Sequence, residues 1–216
     1  MQKKDQIDFG AKRRTNVRAI DGTRQRCRLA HMPITCDQHL LPASDWDFVV
    51  VADTHYFADP DHAAADAIAE FPSRRVQGKR AAAVWETIAD LDPTFIVHMG
   101  DLVQEFPGRP DFDRAQQEAL AQIDAVGLRD RIHFVAGNHD VGDKPDPTMP
   151  THAVTEQDLT AHEERVGSTY TQWQHGGLRF AILNSQILNT DLPAAGQQQA
   201  WLEELAEEAD CPECGG

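Results

Sequence analysis

Three short apolar runs in this chain each end in side chains able to hold a metal ion, and that recurrence constrains the fold more than any other feature. Val49-Val50-Val51-Ala52 runs into Asp53-Thr54-His55, Phe95-Ile96-Val97-His98-Met99 into Gly100-Asp101, and Ile132-His133-Phe134-Val135-Ala136 into Gly137-Asn138-His139-Asp140. Short apolar runs bounded by turn residues read as buried strands. The spacers between them are of crossover length and carry helical periodicity, so the strands run parallel and are joined by right-handed crossovers. Parallel strands bring their C-terminal ends to one edge, where α/β proteins gather their chemistry. The three metal-competent segments are therefore expected side by side.

The first strand, Asp47 to Ala52, has the continuous apolar character of a strand covered on both faces. Ala63 to Ile68 is an Ala-rich helical piece, and Ala81, Val84, Trp85, Ile88 and Leu91 recur at three- and four-residue steps in a second, with Pro72 and Gly78 between the two. Asp111 to Val126 predicts a helix capped by Asp111, with Phe112, Ala115, Ala119, Ile123 and Val126 on its inner face. Val141 to Pro150 is too rich in Pro and Gly for regular structure and is expected as a surface loop beside the site. A polar helix follows over Glu156 to Val166. Thr169 to Gln174 and Leu178 to Asn184 then form a hairpin around His175-Gly176-Gly177. Gln197 to Ala209 is the last predicted helix, with Trp201, Leu202 and Leu205 inward.

A chain of 216 residues, 25% charged, is long enough for one sizeable core. Residues 1–44 lack sustained periodicity and are expected to be an irregular basic extension, which leaves one main domain over 45–216. Residues 1–31 hold nine Lys/Arg against three Asp/Glu, so the other 185 residues hold 11 against 32, a net charge of -21. A body this acidic has no bulk affinity for nucleic acid, and a phosphate-bearing ligand would need positive charge supplied locally, most simply by bound cations. No apolar run approaches the roughly 20 residues of a membrane span, and the N-terminus lacks the apolar segment of a secretory signal. Cys27, Cys36, Cys211 and Cys214 read as reduced thiols, because Cys211-Pro212-Glu213-Cys214 is a single pair outside any strand-to-helix setting. A cytoplasmic protein without membrane partners is expected.

Mixed carboxylate, amide and imidazole donors suit Mn, Fe, Zn or Ni rather than a soft-metal site. In this order, the Asp-Xaa-His, Gly-Asp and Gly-Asn-His-Asp segments resemble the motif set of the calcineurin-like metallophosphoesterase superfamily, over roughly Asp47 to Trp201. The resemblance implies an α/β fold, a two-sheet β-sandwich flanked by helices. It also implies two divalent or trivalent metal ions, with Asp53 and His55 holding the first, Asp101 bridging both and Asn138 holding the second. His139 would contact the phosphate and protonate the leaving group, with Asp140 orienting it. The implied reaction is hydrolysis of a phosphate ester by a metal-activated water. Gly100-Asp101-Leu102-Val103, Phe106-Pro107-Gly108 and Leu183-Asn184-Ser185-Gln186 look most like the branch described as Ser/Thr protein phosphatases, so a protein or small-molecule phosphomonoesterase is implied. The alternatives are a phosphodiesterase acting on nucleotides and a phosphoesterase fold kept as a binding module without catalysis. None of these motifs specifies an oligomeric state.

Two departures from the family pattern stand out. Gln104 occupies the place where the second motif often carries a supporting Asp, and after His139 the only histidines are His152, His162 and His175, none in a Gly-His-Xaa-His setting. The domain is therefore expected to be truncated, with weak metal binding and little hydrolysis until such a segment is added. His98 and His133, inside strands, are expected as satisfied interior residues or as supports behind the ligands, and His62, His152, His162 and His175 as surface ones. Trp85 and Trp201 are assigned to the core. Tyr56 and Phe57, just after the first ligand segment, remain open between substrate contact and packing.

Overall fold

The computed structural model describes residues 45–58, 61, 72–146, 148 and 151–210. The basic extension, His62, the helical piece Ala63 to Ile68 and all four cysteines lie outside the described residues. Strand β1 is Phe48–Val51, helix α1 Arg74–Leu91, β2 Phe95–His98, α2 Phe112–Ala125 and β3 Ile132–Phe134. A short helix α3, Asn138–Val141, precedes α4, Glu156–Arg165. The antiparallel pair β4, Thr171–His175, and β5, Leu178–Ile182, leads to α5, Pro193–Asp210. This is a mixed α/β fold: β1, β2 and β3 form a parallel sheet in that order, with Phe48 opposite Phe95 and Ile96 opposite Ile132.

All four residues of β2 are buried, because successive side chains leave the sheet on opposite faces and both faces are covered. Ile96 belongs to a core with Trp85 and Ile88 of α1 and Ala115, Ala119 and Ile123 of α2, and His98 lies 5.8 Å from Trp85. Phe95 points the other way into an aromatic cluster, with ring centroids 5.0 Å from Phe48, 5.2 Å from Phe180 and 5.6 Å from Trp173. His133 of β3 stacks on Trp173 at 3.6 Å, so the hairpin is held to the sheet by rings. Its turn is Gly176-Gly177, both with positive φ, as a tight two-residue hairpin requires.

Several expectations are corrected. Among the described residues β1 is an edge strand and is not covered on both faces: Phe48 and Val50 are exposed. Gly78 does not divide helices but lies inside α1, where the Tyr56 ring stands 3.2 Å from the position of a Cβ, so space outweighs the roughly 1 kcal/mol that a helical glycine costs. Val84 faces solvent, leaving Ala81, Trp85 and Ile88 as the buried stripe of α1. Asp111 precedes α2 without a side-chain cap bond, its carboxylate pairing with Arg114 at 2.9 Å instead. The segment after Asp140 begins buried: Val141 and Asp143 are enclosed, and Asp143 bridges to Ala153. His162 is buried within α4, and both of its ring nitrogens lack hydrogen-bond partners. Among the described residues, no helix is long and apolar enough to cross a membrane.

Candidate metal centre

The pairing of β1 with β2 continues past the strand ends and places the first two ligand segments alongside one another. Asp53 N–H donates to Gly100 O at 3.1 Å, His55 N–H to Asp101 O at 3.0 Å and Tyr56 N–H to Leu102 O at 2.9 Å. Gln104 N–H returns the contact to Tyr56 O at 2.9 Å. To make these bonds and still turn the side chains to one side, Asp53, His55 and Asp101 take φ of 54°, 42° and 56°. Left-handed backbone costs about 1 to 2 kcal/mol per residue outside glycine, and here it falls on three residues that the motifs single out.

The third segment is locked to the second by two glycines and one carboxylate. A Cβ on Gly137 would stand 2.3 Å from Asp101 Oδ1, and a Cβ on Gly100 2.7 Å from Gly137 N, so neither position has room for a side chain. The Asp140 carboxylate, enclosed between the segments, accepts from Asp101 N–H at 2.8 Å, Leu102 N–H at 3.0 Å and Gly137 N–H at 2.9 Å. Burial pushes its pKa up to about 7, against those three N–H groups, which favour the charged form. Asp140 thus holds main chain. It is His139 Nδ1 that meets a different partner, the Gln104 carbonyl at 2.6 Å, in place of the expected contact with Asp140. Gln104 supplies a main-chain oxygen, so the absence of a carboxylate at that position does not leave His139 without support.

Behind the site, His98 is fully buried, with Thr54 Oγ1 3.0 Å from Nε2 and Gly100 N–H donating to Nδ1 at 3.2 Å. A ring that accepts at Nδ1 carries its proton on Nε2, so His98 donates to Thr54, which in turn donates to Leu102 O at 3.2 Å. Burial lowers the His98 pKa to about 4, which keeps this bridge neutral. The expected interior role of His98 is thus met. His98 also braces the first two segments through Thr54 and Gly100, so the interior place and the supporting role expected for it coincide.

His55 Nε2 lies 3.5 Å from Asp53 Oδ1 and 3.6 Å from Asp101 Oδ2, too far for good hydrogen bonds. Two ligands of one ion, each bound at about 2.1 Å, stand roughly 3.0 to 3.6 Å apart, so these spacings fit a shared cation. The ligand atoms of His55, Asp101 and His139 all lie within 4.8 Å of one another. The His55 and His139 rings meet edge to face at 4.7 Å, and Phe106 stacks on His139 at 4.1 Å. Asn138 opens α3 between Gly137, which abuts Asp101, and His139, whose N–H donates to Asp101 Oδ1 at 3.1 Å. Burial lowers the His139 pKa, opposed by the Asp101 carboxylate.

Other histidines lie elsewhere. His152 Nε2 is 2.8 Å from Asp158, His162 is buried in α4, and His175 packs on Trp46 at 4.9 Å. Tyr56 and Phe57 are packing residues: the Tyr56 hydroxyl donates to Glu118 at 2.9 Å, which with burial raises its pKa to about 12, and Phe57 is enclosed.

A family model described as calcineurin-like phosphoesterase matches residues 47–213. The serine/threonine-protein phosphatase CPPED1 of Bos taurus is 34% identical over 116 residues, covering 52% of this chain and 34% of that protein. The Mus musculus protein of the same name is 31% identical over 125 residues, covering 55% and 37%. The chain spans about a third of the length of these curated relatives. Among solved structures, a dimetal phosphatase from Danio rerio is similar with a TM-score of 0.43 and 15% identity, over 74% of this chain and 52% of that one.

Proposed function

Given that this chain belongs to the calcineurin-like phosphoesterase family, we propose that it hydrolyses phosphate esters at a dinuclear metal centre. The observation that carries this reading is the convergence of His55, Asp101 and His139 within 4.8 Å, at the C-terminal ends of three parallel strands. Asp53 and His55 would hold one ion, Asp101 would bridge and Asn138 would hold the other, with Mn, Fe, Zn and Ni all suited to such donors. When bound, the ions supply Lewis acidity and positive charge against phosphoryl oxygens, within a body whose own net charge is strongly negative. The protein's part is to fix the donors: Asp140 and His98 brace the three segments, and His139 delivers a proton to the departing oxygen. The parallel sheet and the hairpin are taken as parts of the two-sheet sandwich. The relatives' name favours phosphoserine and phosphothreonine in proteins as substrates.

A second reading of His139, as a further ligand, is favoured by its closeness to His55 and Asp101. The test is phosphate release from an aryl monoester with added Mn, together with metal analysis, on the protein as its gene encodes it. Asp101→Asn is expected to lower metal content and rate together. His139→Ala is expected to lower the rate on an alkyl monoester, whose leaving oxygen needs the proton, by roughly 10² to 10⁴ with metal retained. Equal metal loss in both variants would make His139 a ligand, and no release with any of the four metals would leave a binding module.

A further inference from the structure

We infer that Phe106 is a positioning residue for His139, fixing the imidazole plane by stacking while the Gln104 carbonyl fixes its proton, so that Nε2 faces the leaving oxygen. This rests on the proposed hydrolysis of phosphate esters. The His139 ring has three neighbours of known geometry. Gln104 O sits 2.6 Å from Nδ1, Phe106 covers one face at 4.1 Å with planes 29° apart, and the His55 ring approaches at 4.7 Å with planes 88° apart. A carbonyl only accepts, so Nδ1 carries a proton and Nε2 is the atom left to act. A half-turn of the ring would lose the Gln104 bond, and a tilt would drive its edge into Phe106.

Phe106 itself stands on a fixed base. Val103 is fully buried and bridges to Tyr56, Gln104 N–H donates to Tyr56 O at 2.9 Å, Pro107 is enclosed, and Arg109 N–H closes a turn on Phe106 O at 3.2 Å. The ring is therefore part of a wall. In the step this serves, the water oxygen forms a new bond to phosphorus while the bond to the leaving oxygen breaks. Nε2, bare in this tautomer, relays to that oxygen the proton that the attacking water gives up, giving an alcohol and inorganic phosphate. A leaving group that is already a stable anion needs no such proton; an alkoxide does.

The experiment compares Phe106→Leu and Phe106→Tyr with the parent protein on p-nitrophenyl phosphate and on an alkyl phosphate, alongside ¹⁵N spectra of the His139 ring. Phe106→Leu is expected to lower kcat on the alkyl ester by roughly tenfold or more while changing the nitrophenyl ester by less than about threefold, with KM unchanged on both. Phe106→Tyr, which keeps the stacked ring, restores the alkyl rate. In the spectra the parent shows one tautomer protonated at Nδ1, and Phe106→Leu a mixture. Equal loss of kcat on both esters with the tautomer retained would overturn the inference and leave Phe106 as packing. If the parent hydrolyses neither ester, the hydrolase reading fails, and the tautomer alone decides the positioning: a mixture in Phe106→Leu supports it and an unchanged spectrum overturns it.

Discussion

A methyl group at residue 137 would occupy the space where Asp101 Oδ1 now lies, 2.3 Å from the position of the new carbon. Gly137→Ala is therefore expected to destabilise the protein by about 1 to 3 kcal/mol and to weaken metal binding, because relief of the clash moves Asp101, the proposed bridging ligand. Urea denaturation and Mn titration by calorimetry measure the two effects. Gly196→Ala, in open space within α5, is the control and should be neutral or slightly stabilising. Unchanged Mn affinity in Gly137→Ala would detach the glycine contact from the metal centre. At this scale the sequence was informative about where metal-competent side chains gather, since Asp53, His55, Asp101 and His139 stand out by type and by place at strand ends. It was silent about groups that act through main chain. Any residue at 104 offers the same carbonyl to His139, and nothing in the letters distinguishes an Asp140 that accepts three N–H bonds from one that orients a histidine.

Among the elements, the hairpin shows how little backbone pairing is needed to fix a layer when rings do the joining. Trp173 stacks on His133 at 3.6 Å and on Phe180 at 5.1 Å, and lies edge-on to Phe95 at 5.6 Å. Trp173→Ala should cost roughly 3 to 5 kcal/mol and raise amide exchange in β4 and β5 more than in β1 and β2, as followed by hydrogen exchange with mass spectrometry. A uniform rise across both sheets would mean that the hairpin has no separate stability. The strands, the crossover helices and the Gly176-Gly177 turn were legible because each has a local signature of period or backbone conformation. The exposed face of β1 was not, because burial of an apolar run depends on which neighbours arrive, and a strand at the sheet edge receives fewer. Gly78 misled for a related reason: a glycine needed to admit the Tyr56 ring looks the same in sequence as one that ends a helix.

For the molecule as a whole, two ionisable groups outside the metal centre, the half-buried Glu105 and the buried His162, tilt stability against pH in opposite directions. Burial raises the Glu105 carboxyl to about 7 from its usual value near 4.5, with Oε2 lacking a hydrogen-bond partner. Between these values the folded state keeps a proton that the unfolded state has lost, so the group's contribution falls as pH rises and is fully spent above pH 7. His162, with neither ring nitrogen bonded, is lowered by burial from 6.5 to about 4. There the unfolded state takes up the proton first, so stability falls as pH drops below 6.5. Glu105→Gln should accordingly gain over the parent as pH rises from about 4.5 to 7, and hold that gain above pH 7. His162→Leu should gain in the opposite sense, most near pH 4 and least above 6.5, since a leucine has no proton to refuse. Urea midpoints of the three proteins at half-unit steps from pH 4 to 8 test both. The two difference curves must slope in opposite directions: parallel curves would mean that the substitutions act through packing, and a flat curve for either would return that group to an ordinary pKa in the folded protein.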